Sequence, residues 1–255
     1  EEHDRVEPFI KKMGEKVNFV SAIDEGTPVG KSSQAWMEAS GQQGIPTTFI
    51  VDQQGKIAWS GHPMMGMEKV LDAVVAGTYD VKAEIEKKAK LEAISAKIDA
   101  AGEKGDWDTV FKLFDEVVAI DPSQATSIGL NRMFIMLAEK KDFKAGYEYA
   151  LKLLDNELKD EPDLMHRVGR FLAESPDLEK KDLDVALKFA ATAVEKTEGK
   201  DAEALNSLAA VHFARKEVAK AIEVQTKAAE IAEDPGMKLV FLQTLQNYKA
   251  AQQEK

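Results

Sequence analysis

Residues 44–52 read Gly-Ile-Pro-Thr-Thr-Phe-Ile-Val-Asp, and residues 55–61 read Gly-Lys-Ile-Ala-Trp-Ser-Gly. Thr47 to Val51 are β-branched and aromatic residues, which is typical of a buried strand. The polar residues between the two apolar runs include Gly55, where a tight turn favours a positive φ. The second strand, Ile57–Trp59, is therefore expected to return antiparallel to the first.

Pro46 stands directly before the first predicted strand, a position where no backbone donor is needed. The Gly-Ile-Pro-Thr motif at residues 44–47 resembles the cis-proline motif of the thioredoxin fold. That resemblance implies a cis Ile45–Pro46 bond. It also implies that the backbone around Ile45 and Thr47 pairs with an extended substrate beside a redox dithiol. The alternative is an ordinary trans proline that opens a strand.

The order of the predicted elements makes this resemblance more specific. Hydrophobic spacing and chain breakers predict a helix over 6–17, a strand over 19–24 and a loop over 25–30. A helix capped by Ser32 or Ser33 and ending at Gly41 is predicted next. The two strands described above follow, and then a helix from about Met65 to Ala76. This order resembles the second half of the TlpA-like thiol–disulfide oxidoreductases, which have a thioredoxin fold. The implied fold class is α/β thioredoxin-like, partial in this chain, over residues 1–78.

The chain contains no cysteine, which conflicts with the chemistry that the resemblance implies. Thiol–disulfide exchange in that family needs a Cys-x-x-Cys pair in which one thiol has a lowered pKa. In the family, the strands and the helix that carry this pair precede the part matched here. We therefore expect residue 1 to lie inside a longer gene product, with the dithiol half of the domain upstream. A degenerate domain that lacks cysteine altogether is the alternative.

The charge of the chain excludes some classes of partner. The formal net charge is -11, and residues 1–80 carry 7 basic and 12 acidic residues while residues 81–255 carry 27 and 33. Because both parts are acidic, nucleic acid and an anionic membrane surface are not expected as partners. No apolar run approaches the roughly 18 residues that a membrane-spanning helix needs. An extracytoplasmic, periplasmic location is implied by the family resemblance alone.

An internal repeat follows from Tyr79 onwards, where Ala, Lys, Glu and Leu dominate with helical periodicity. Small or apolar residues recur at positions 110, 146, 186 and 221, at intervals of 36, 40 and 35. In the first repeat, Val110 is followed by Phe114 and Val117, at the spacing of four and then three residues. This pattern resembles the second helix of the tetratricopeptide repeat, whose period is about 34 residues.

The repeat predicts an all-α tetratricopeptide-like solenoid over residues 91–255. About four helical hairpins are expected, followed by a capping helix from about Met237 to Lys255. Small residues at the recurring positions allow the two helices of each hairpin to approach closely. Residues 79–90 are the predicted linker, which is expected to be helical because 81–90 lack glycine and proline. A generic helical bundle is the alternative.

The spacing of residues predicts no metal site and no cofactor. The four histidines are scattered, and no pair has the spacing of metal ligands: His3, His62, His166 and His212. The thioredoxin resemblance places His62, with Gly61, beside Pro46. The methionines at 64, 65 and 67 make Cu(I) binding one hypothesis, because thioether and imidazole groups suit that ion. The favoured interpretation is that Met67 packs inward while the other two contact a partner.

Two functions follow from these patterns. The first is a thioredoxin-like thiol–disulfide oxidoreductase, acting on protein or peptide thiols and disulfides, with a helical-repeat domain that binds a protein partner. The resemblance implies five substrate-binding residues in this chain and no catalytic one: Ile45, Pro46, Thr47, Gly61 and His62. The second function is a non-catalytic scaffold whose degenerate thioredoxin-like domain and concave helical surface bind a peptide or protein. A Cys-x-x-Cys motif encoded shortly before residue 1 distinguishes the first function from the second.

Overall fold

The computed structural model describes residues 3–17, 19–22, 24, 30–42 and 44–253. These residues are mostly helical, with a two-stranded antiparallel sheet, and the chain divides into two compact units, residues 1–87 and 88–255. The first unit contains the sheet, and the second consists of helices. Among the helices in the described ranges, none combines the length and the apolar character needed to cross a membrane.

The first unit contains short helices on either side of a β-hairpin. Its elements are α1 (His3–Met13), a 3₁₀ turn (Gly14–Lys16), a π-helix (Ser33–Glu38), β1 (Thr48–Val51), β2 (Ile57–Gly61), α2 (Met67–Val75) and the start of α3 (Val81–Gly102). The helices predicted over 6–17 and 65–76 are therefore present, with shifted ends. The predicted linker over 79–90 lies mostly within α3.

The hairpin forms as the sequence predicts, and its turn is stabilised by one aspartate. Gly55 has a φ of 77°, in the left-handed region that favours glycine. The carboxylate of Asp52 accepts hydrogen bonds from the backbone N–H groups of Gln54 and Lys56, each at 2.9 Å. The turn therefore reverses the chain with its own polar groups satisfied, and β1 and β2 pair antiparallel.

The core of the first unit is small. It consists of the buried residues Ile50, Ala58 and Val74, which belong to β1, β2 and α2. Partly buried side chains surround this core: Trp59, Met67, Val70, Tyr79 and Val81. Because an isolated two-stranded hairpin is only marginally stable in water, the packing of α2 on the hairpin is needed to keep it folded.

The strand predicted over residues 19–24 is wrong for the residues that the structure describes. These residues have no strand structure, and Ile23 lies outside the described residues. Phe19 is 69% exposed and Val20 is 98% exposed. Within the described part of the chain, the sheet holds only the two strands of the hairpin. Strand-forming residues need a neighbouring strand to satisfy their backbone groups, and this segment is not paired with one.

The helix predicted from Ser32 or Ser33 begins with a different capping interaction. No serine caps the helix; instead, Asp24 accepts hydrogen bonds from the backbone N–H groups of Ser32 at 2.8 Å and Ser33 at 2.9 Å. A Cβ at Gly30 would lie 2.0 Å from that carboxylate, so a larger residue there would have to displace the Asp24 side chain. The rest of the predicted loop over 25–30 lies outside the described residues.

The second unit is a series of helical hairpins. After α3, its helices are α4 (Trp107–Ile120), α5 (Ala125–Phe134, continued by a π-helix over Ile135–Glu139), α6 (Phe143–Asp155), α7 (Pro162–Glu174), α8 (Leu183–Lys196), α9 (Ala202–Ala214), α10 (Val218–Ile231) and α11 (Pro235–Gln253). The helices pack in consecutive pairs from α3–α4 to α9–α10, and α11 packs on α10. This arrangement is consistent with a helical solenoid.

The recurring positions predicted from the sequence are buried in the second helix of each pair. They lie in α4, α6, α8 and α10, and all four are buried: Val110, Gly146, Ala186 and Ala221. The residues four positions later are buried as well: Phe114, Ala150, Ala190 and Gln225. The predicted register is therefore confirmed, and the final helix expected from about Met237 is present as α11.

The interval of 40 residues in the repeat comes from a longer connection between α7 and α8. The other connections within pairs are short: 103–106, 140–142 and 215–217. The connection at 175–182 places Leu178 in the core with 3% exposure, and the Tyr147 hydroxyl donates to the Lys180 carbonyl at 2.7 Å. The additional residues are therefore packed against the helices and leave the register of α8 unchanged.

The backbones of α7 and α8 lie close together at Gly169. A Cβ at this position would be 2.9 Å from the backbone nitrogen of Ala190 and 3.0 Å from the carbonyl oxygen of Ala186. Both atoms belong to the backbone of α8, so no side chain can rotate away to make room. Glycine at position 169 therefore sets the distance between these two helices.

We expect Gly169→Ala to lower the free energy of unfolding by about 1–3 kcal/mol, the usual range for an overpacked core. The loss should appear although alanine is the better helix former. Urea unfolding followed by circular dichroism measures it. Gly102→Ala is the control, because a Cβ there would meet the Trp107 ring at an ordinary 3.8 Å. If Gly169→Ala were as stable as the wild type, the close approach of α7 and α8 at this position would be contradicted.

Glu217 connects the turn between α9 and α10 to both helices. Its carboxylate lies 2.7 Å from Nδ1 of His212, and it accepts hydrogen bonds from Arg215 Nε at 3.3 Å and Lys220 Nζ at 3.3 Å. These partners, with His212 making the largest contribution, lower the pKa of Glu217 from its usual 4.5 to about 2. The ionised carboxylate is therefore favoured in the folded state.

We expect Glu217 to stabilise the fold fully above about pH 4.5, and this contribution to be lost as the pH falls towards 2. In Glu217→Gln, stability at pH 7 should be lower and the loss between pH 4.5 and 2 smaller, because no carboxylate is left to protonate. Thermal unfolding across this pH range measures both effects. Glu116→Gln, at an exposed position of α4, is the control. Parallel pH profiles for wild type and Glu217→Gln would refute the assignment.

Candidate functional site

The predicted binding segment lies at the open end of the hairpin. The Ile45–Pro46 peptide bond is cis, as the motif predicts. Gly44, Ile45 and Pro46 are exposed, and the exposed fraction of Ile45 is 89%. The Thr47 hydroxyl donates a hydrogen bond to the Gly44 carbonyl at 2.6 Å. The segment is therefore accessible from solvent while one of its own side chains holds its conformation.

The hairpin register brings Gly61 and His62 to the same end. Thr48 pairs with Gly61, so Thr47 and His62 are the next residues outward on the two strands. A Cβ on Gly61 would lie 2.8 Å from Cζ2 of Trp59, so glycine at this position allows the indole ring to lie along its own strand. The five residues predicted to bind substrate therefore lie at one end of one hairpin.

His62 is exposed, and its ring is bound by its own loop. The backbone N–H of Met64 donates to Nδ1 at 3.2 Å, and that of Met65 donates to the His62 carbonyl at 2.9 Å. Met64 is 86% exposed and Met65 is 75% exposed, whereas Met67 packs against the core of the first unit. The inward packing of Met67 is therefore confirmed. Because Nδ1 of His62 accepts a hydrogen bond, Nε2 is the ring nitrogen that could bind Cu(I) in that hypothesis.

Residues 30–42 are held on the hairpin by an aromatic pair and a polar contact. The rings of Trp36 and Phe49 meet edge to face, with centroids 5.3 Å apart. Gln42 Nε2 donates to Ser60 Oγ at 3.3 Å. An aromatic pair of this kind contributes about 0.5–1.5 kcal/mol beyond its buried area. Trp36 remains 41% exposed and adds apolar surface beside the hairpin.

The edge of β1 can accept a further strand. β1 pairs with β2 on one side, and in the described ranges no strand lies on its other side. Unpaired N–H and C=O groups on such an edge are a template for an extended polypeptide. The chain has no thiol, so the residues of this site can bind and orient a peptide but cannot themselves exchange a disulfide.

A second candidate site lies in the second unit, in a groove of about 690 Å³ along α7, α9 and α11. Its apolar lining includes Phe171 and Val240, of which Val240 is 61% exposed. Its cationic lining consists of Arg167 and Arg170 from one face of α7. α7 and α9 are the first helices of two neighbouring pairs, and α11 is the final helix. The groove therefore runs across successive repeats.

Buried polar residues also line the groove. Asn206 and Ser207 are 9% and 3% exposed, within the run 204–211 of α9 that is buried throughout. Ser207 Oγ lies 3.1 Å from Nδ1 of His166. Burial lowers the pKa of His166 below its usual 6.5, which favours the neutral imidazole. These residues are not among those that the sequence motifs predict, although a polar pair inside an apolar run is a usable signal for such a groove.

The sequence was also compared with known proteins. No protein-family model matches the chain, and no curated protein matches it significantly. The comparisons therefore assign no reaction, ligand or partner to either the hairpin end or the groove. Function has to be inferred from the geometry of these two surfaces and from the sequence motifs that form them.

Proposed function

We propose that this chain is the substrate-binding part of a thioredoxin-like thiol–disulfide oxidoreductase, joined to a tetratricopeptide-like domain that binds a protein partner. The observation that carries the proposal is the exposed segment 44–46 at the end of the hairpin, with Gly61 and His62 beside it. An exposed stretch of backbone next to an unpaired strand edge suits the binding of an extended peptide by main-chain hydrogen bonds.

The resemblance to the TlpA-like family supports the redox part of this proposal. In that family the central strands of the sheet lie beside the strand that follows the cis-proline, and the edge of β1 is unpaired in the described residues. In the proposed reaction a low-pKa thiolate attacks a substrate disulfide, a mixed disulfide forms, and a second thiol resolves it. Both thiols come from outside these 255 residues, and an extracytoplasmic location belongs to the same proposal.

The role of this chain in the proposed reaction is to position the substrate. The backbone of Ile45 and Thr47 pairs with an extended peptide on one side of the disulfide. The exposed side chains of Met64 and Met65 supply apolar surface that adapts to different substrate side chains. His62 lies next to Thr47 at the end of the hairpin, where its imidazole can donate a hydrogen bond to the bound peptide.

The partner-binding role of the second unit is supported by the groove along α7, α9 and α11. It combines apolar side chains with charges of both signs, including Arg170 and Glu174, which form an ion pair at 2.7 Å. An elongated groove on consecutive repeats is the surface that helical arrays use to hold a peptide. The partner expected is a peptide segment with apolar side chains flanked by polar ones.

A second candidate function is favoured by one observation, the absence of cysteine from all 255 residues. In this alternative the protein is a non-catalytic scaffold. The hairpin end and the groove then each hold a polypeptide, and no disulfide is exchanged. The two candidates share their binding surfaces and differ in whether a dithiol acts at the hairpin.

We expect Ile45→Asp to lower kcat/KM for reduction of insulin disulfides about tenfold, which corresponds to about 1.4 kcal/mol. The physical reason is that a carboxylate beside the pairing backbone loses part of its hydration when the substrate strand binds. The assay uses the complete gene product with dithiothreitol as the reductant. Because Ile45 is 89% exposed, the substitution should not affect folding.

Ile85→Asp is the matched control, because Ile85 is 64% exposed and lines a cavity with Asp52 and Lys56, at the turn of the hairpin and not at its open end. Equal activity of Ile45→Asp and wild type would exclude the segment 44–46 as the substrate site. A complete gene product without reductase activity would exclude the oxidoreductase and leave the scaffold as the function.

A further inference from the structure

A cluster of possible metal ligands lies where the third and fourth helical pairs meet. Asp163 and His166 are one turn apart in α7, and Asp201 stands at the start of α9. One potential ligand atom from each of the three side chains lies within 4.8 Å of the others. His166 is 4% exposed, Asp201 is half-buried and Asp163 is exposed. The cluster is therefore open to solvent on one side only.

The three side chains converge without bonding to one another. In the part of the chain that the structure describes, no hydrogen bond or ion pair joins the imidazole to either carboxylate. An ion with ligand bonds of about 2.0–2.2 Å holds its ligand atoms roughly 3–3.5 Å apart. The limit of 4.8 Å is wider than that spacing, so the side chains have to draw together around an ion, and Asp163 is the exposed member of the three.

Two of the three ligands are already held in place by bonds outside the cluster. His166 Nδ1 lies 3.1 Å from Ser207 Oγ, so a proton on Nδ1 leaves the lone pair of Nε2 for an ion. Metal-binding histidines typically make such a hydrogen bond through their second ring nitrogen. One oxygen of Asp201 accepts the N–H groups of Glu203 at 2.7 Å and Ala204 at 3.1 Å. This cap of α9 fixes the carboxylate and leaves a second oxygen that can bind a cation.

The charge around the cluster favours a cation. Acidic side chains outnumber basic ones along the cavity that contains the three residues. The acidic residues are Asp163, Asp201, Glu203, Glu233 and Asp234, and the basic residues are Arg167 and Lys200. An acid in the first turn of a helix is common for electrostatic reasons alone. A buried imidazole that faces two carboxylates without pairing with them is not explained in that way.

We propose that Asp163, His166 and Asp201 form a binding site for a divalent transition-metal ion, for which Zn²⁺ is the probe. An imidazole nitrogen with two carboxylate oxygens suits Zn²⁺, whereas Mg²⁺ and Ca²⁺ prefer ligand sets made only of oxygen. Three protein ligands leave positions for water. The bound ion connects α7 to α9 beside the groove, because His166 and Glu203 line both the groove and the metal cavity.

Isothermal titration of the chelator-treated full chain with Zn²⁺ tests the proposal. We expect one ion per chain at this site, and at least about tenfold weaker binding in Asp163→Asn. Asp163 is exposed, so this variant should fold normally. Asp201→Asn should also weaken binding about tenfold or more, and asparagine keeps the cap of α9 because it is as good a capping residue as aspartate. Zn²⁺ should raise the melting temperature of wild type more than that of either variant.

Two control variants separate this site from other surfaces of the chain. His62→Gln removes the exposed histidine next to Met64, and Asp177→Asn removes an exposed aspartate that lines the groove; both should bind Zn²⁺ as wild type does. Wild-type affinity in Asp163→Asn and Asp201→Asn would overturn the proposal, and so would loss of binding in His62→Gln. Equal affinity for Mg²⁺ and Zn²⁺ would also overturn it, because it would indicate a merely acidic surface.

Discussion

The packing of the two central helical pairs, α5–α6 and α7–α8, depends on how closely their paired helices can approach. Where Gly129, Gly146 and Gly169 lie, an added Cβ would be only 2.5 to 2.9 Å from atoms of the neighbouring helix. Small residues at these positions let larger side chains, such as Leu137 and Leu153, cover the neighbouring backbone and fill the core. These contacts set how closely the two helices of the second pair, α5–α6, and of the third pair, α7–α8, can pack.

The first unit is organised by hydrogen bonding rather than by a large core. Only Ile50, Ala58 and Val74 are buried in its main cluster, so the order of the hairpin end comes from local bonds. The Thr47 hydroxyl binds the Gly44 carbonyl, and the Met64 N–H binds the His62 ring. These bonds fix the ends of the two strands without covering them. A surface of this kind keeps its shape while its backbone remains available to a second polypeptide.

The features that sequence alone predicted correctly are those decided within a few residues or by a repeat. The turn at Gly55, the cis bond before Pro46 and the buried positions from Val110 to Ala221 are of this type. The strand over 19–24 failed because strand formation depends on a partner that composition does not reveal. The proximity of Asp163 and His166 to Asp201 was not visible in the sequence for a related reason. Asp201 is far from His166 in sequence, and only the packing of α7 against α9 brings the two residues together.

The longer connection at 175–182 shows that the join between two paired helices can change in length without altering the repeat. Ala186 after it is buried in α8, as the recurring residues of the other pairs are in their helices, although the connection is longer than those in the other pairs. Because the entropy of closing a loop grows slowly with its length, further residues would cost little stability there. An insertion, a grafted epitope or a protease site at this join should therefore keep the architecture of the array, provided that Leu178 stays in the core and the Lys180 carbonyl keeps its bond to Tyr147.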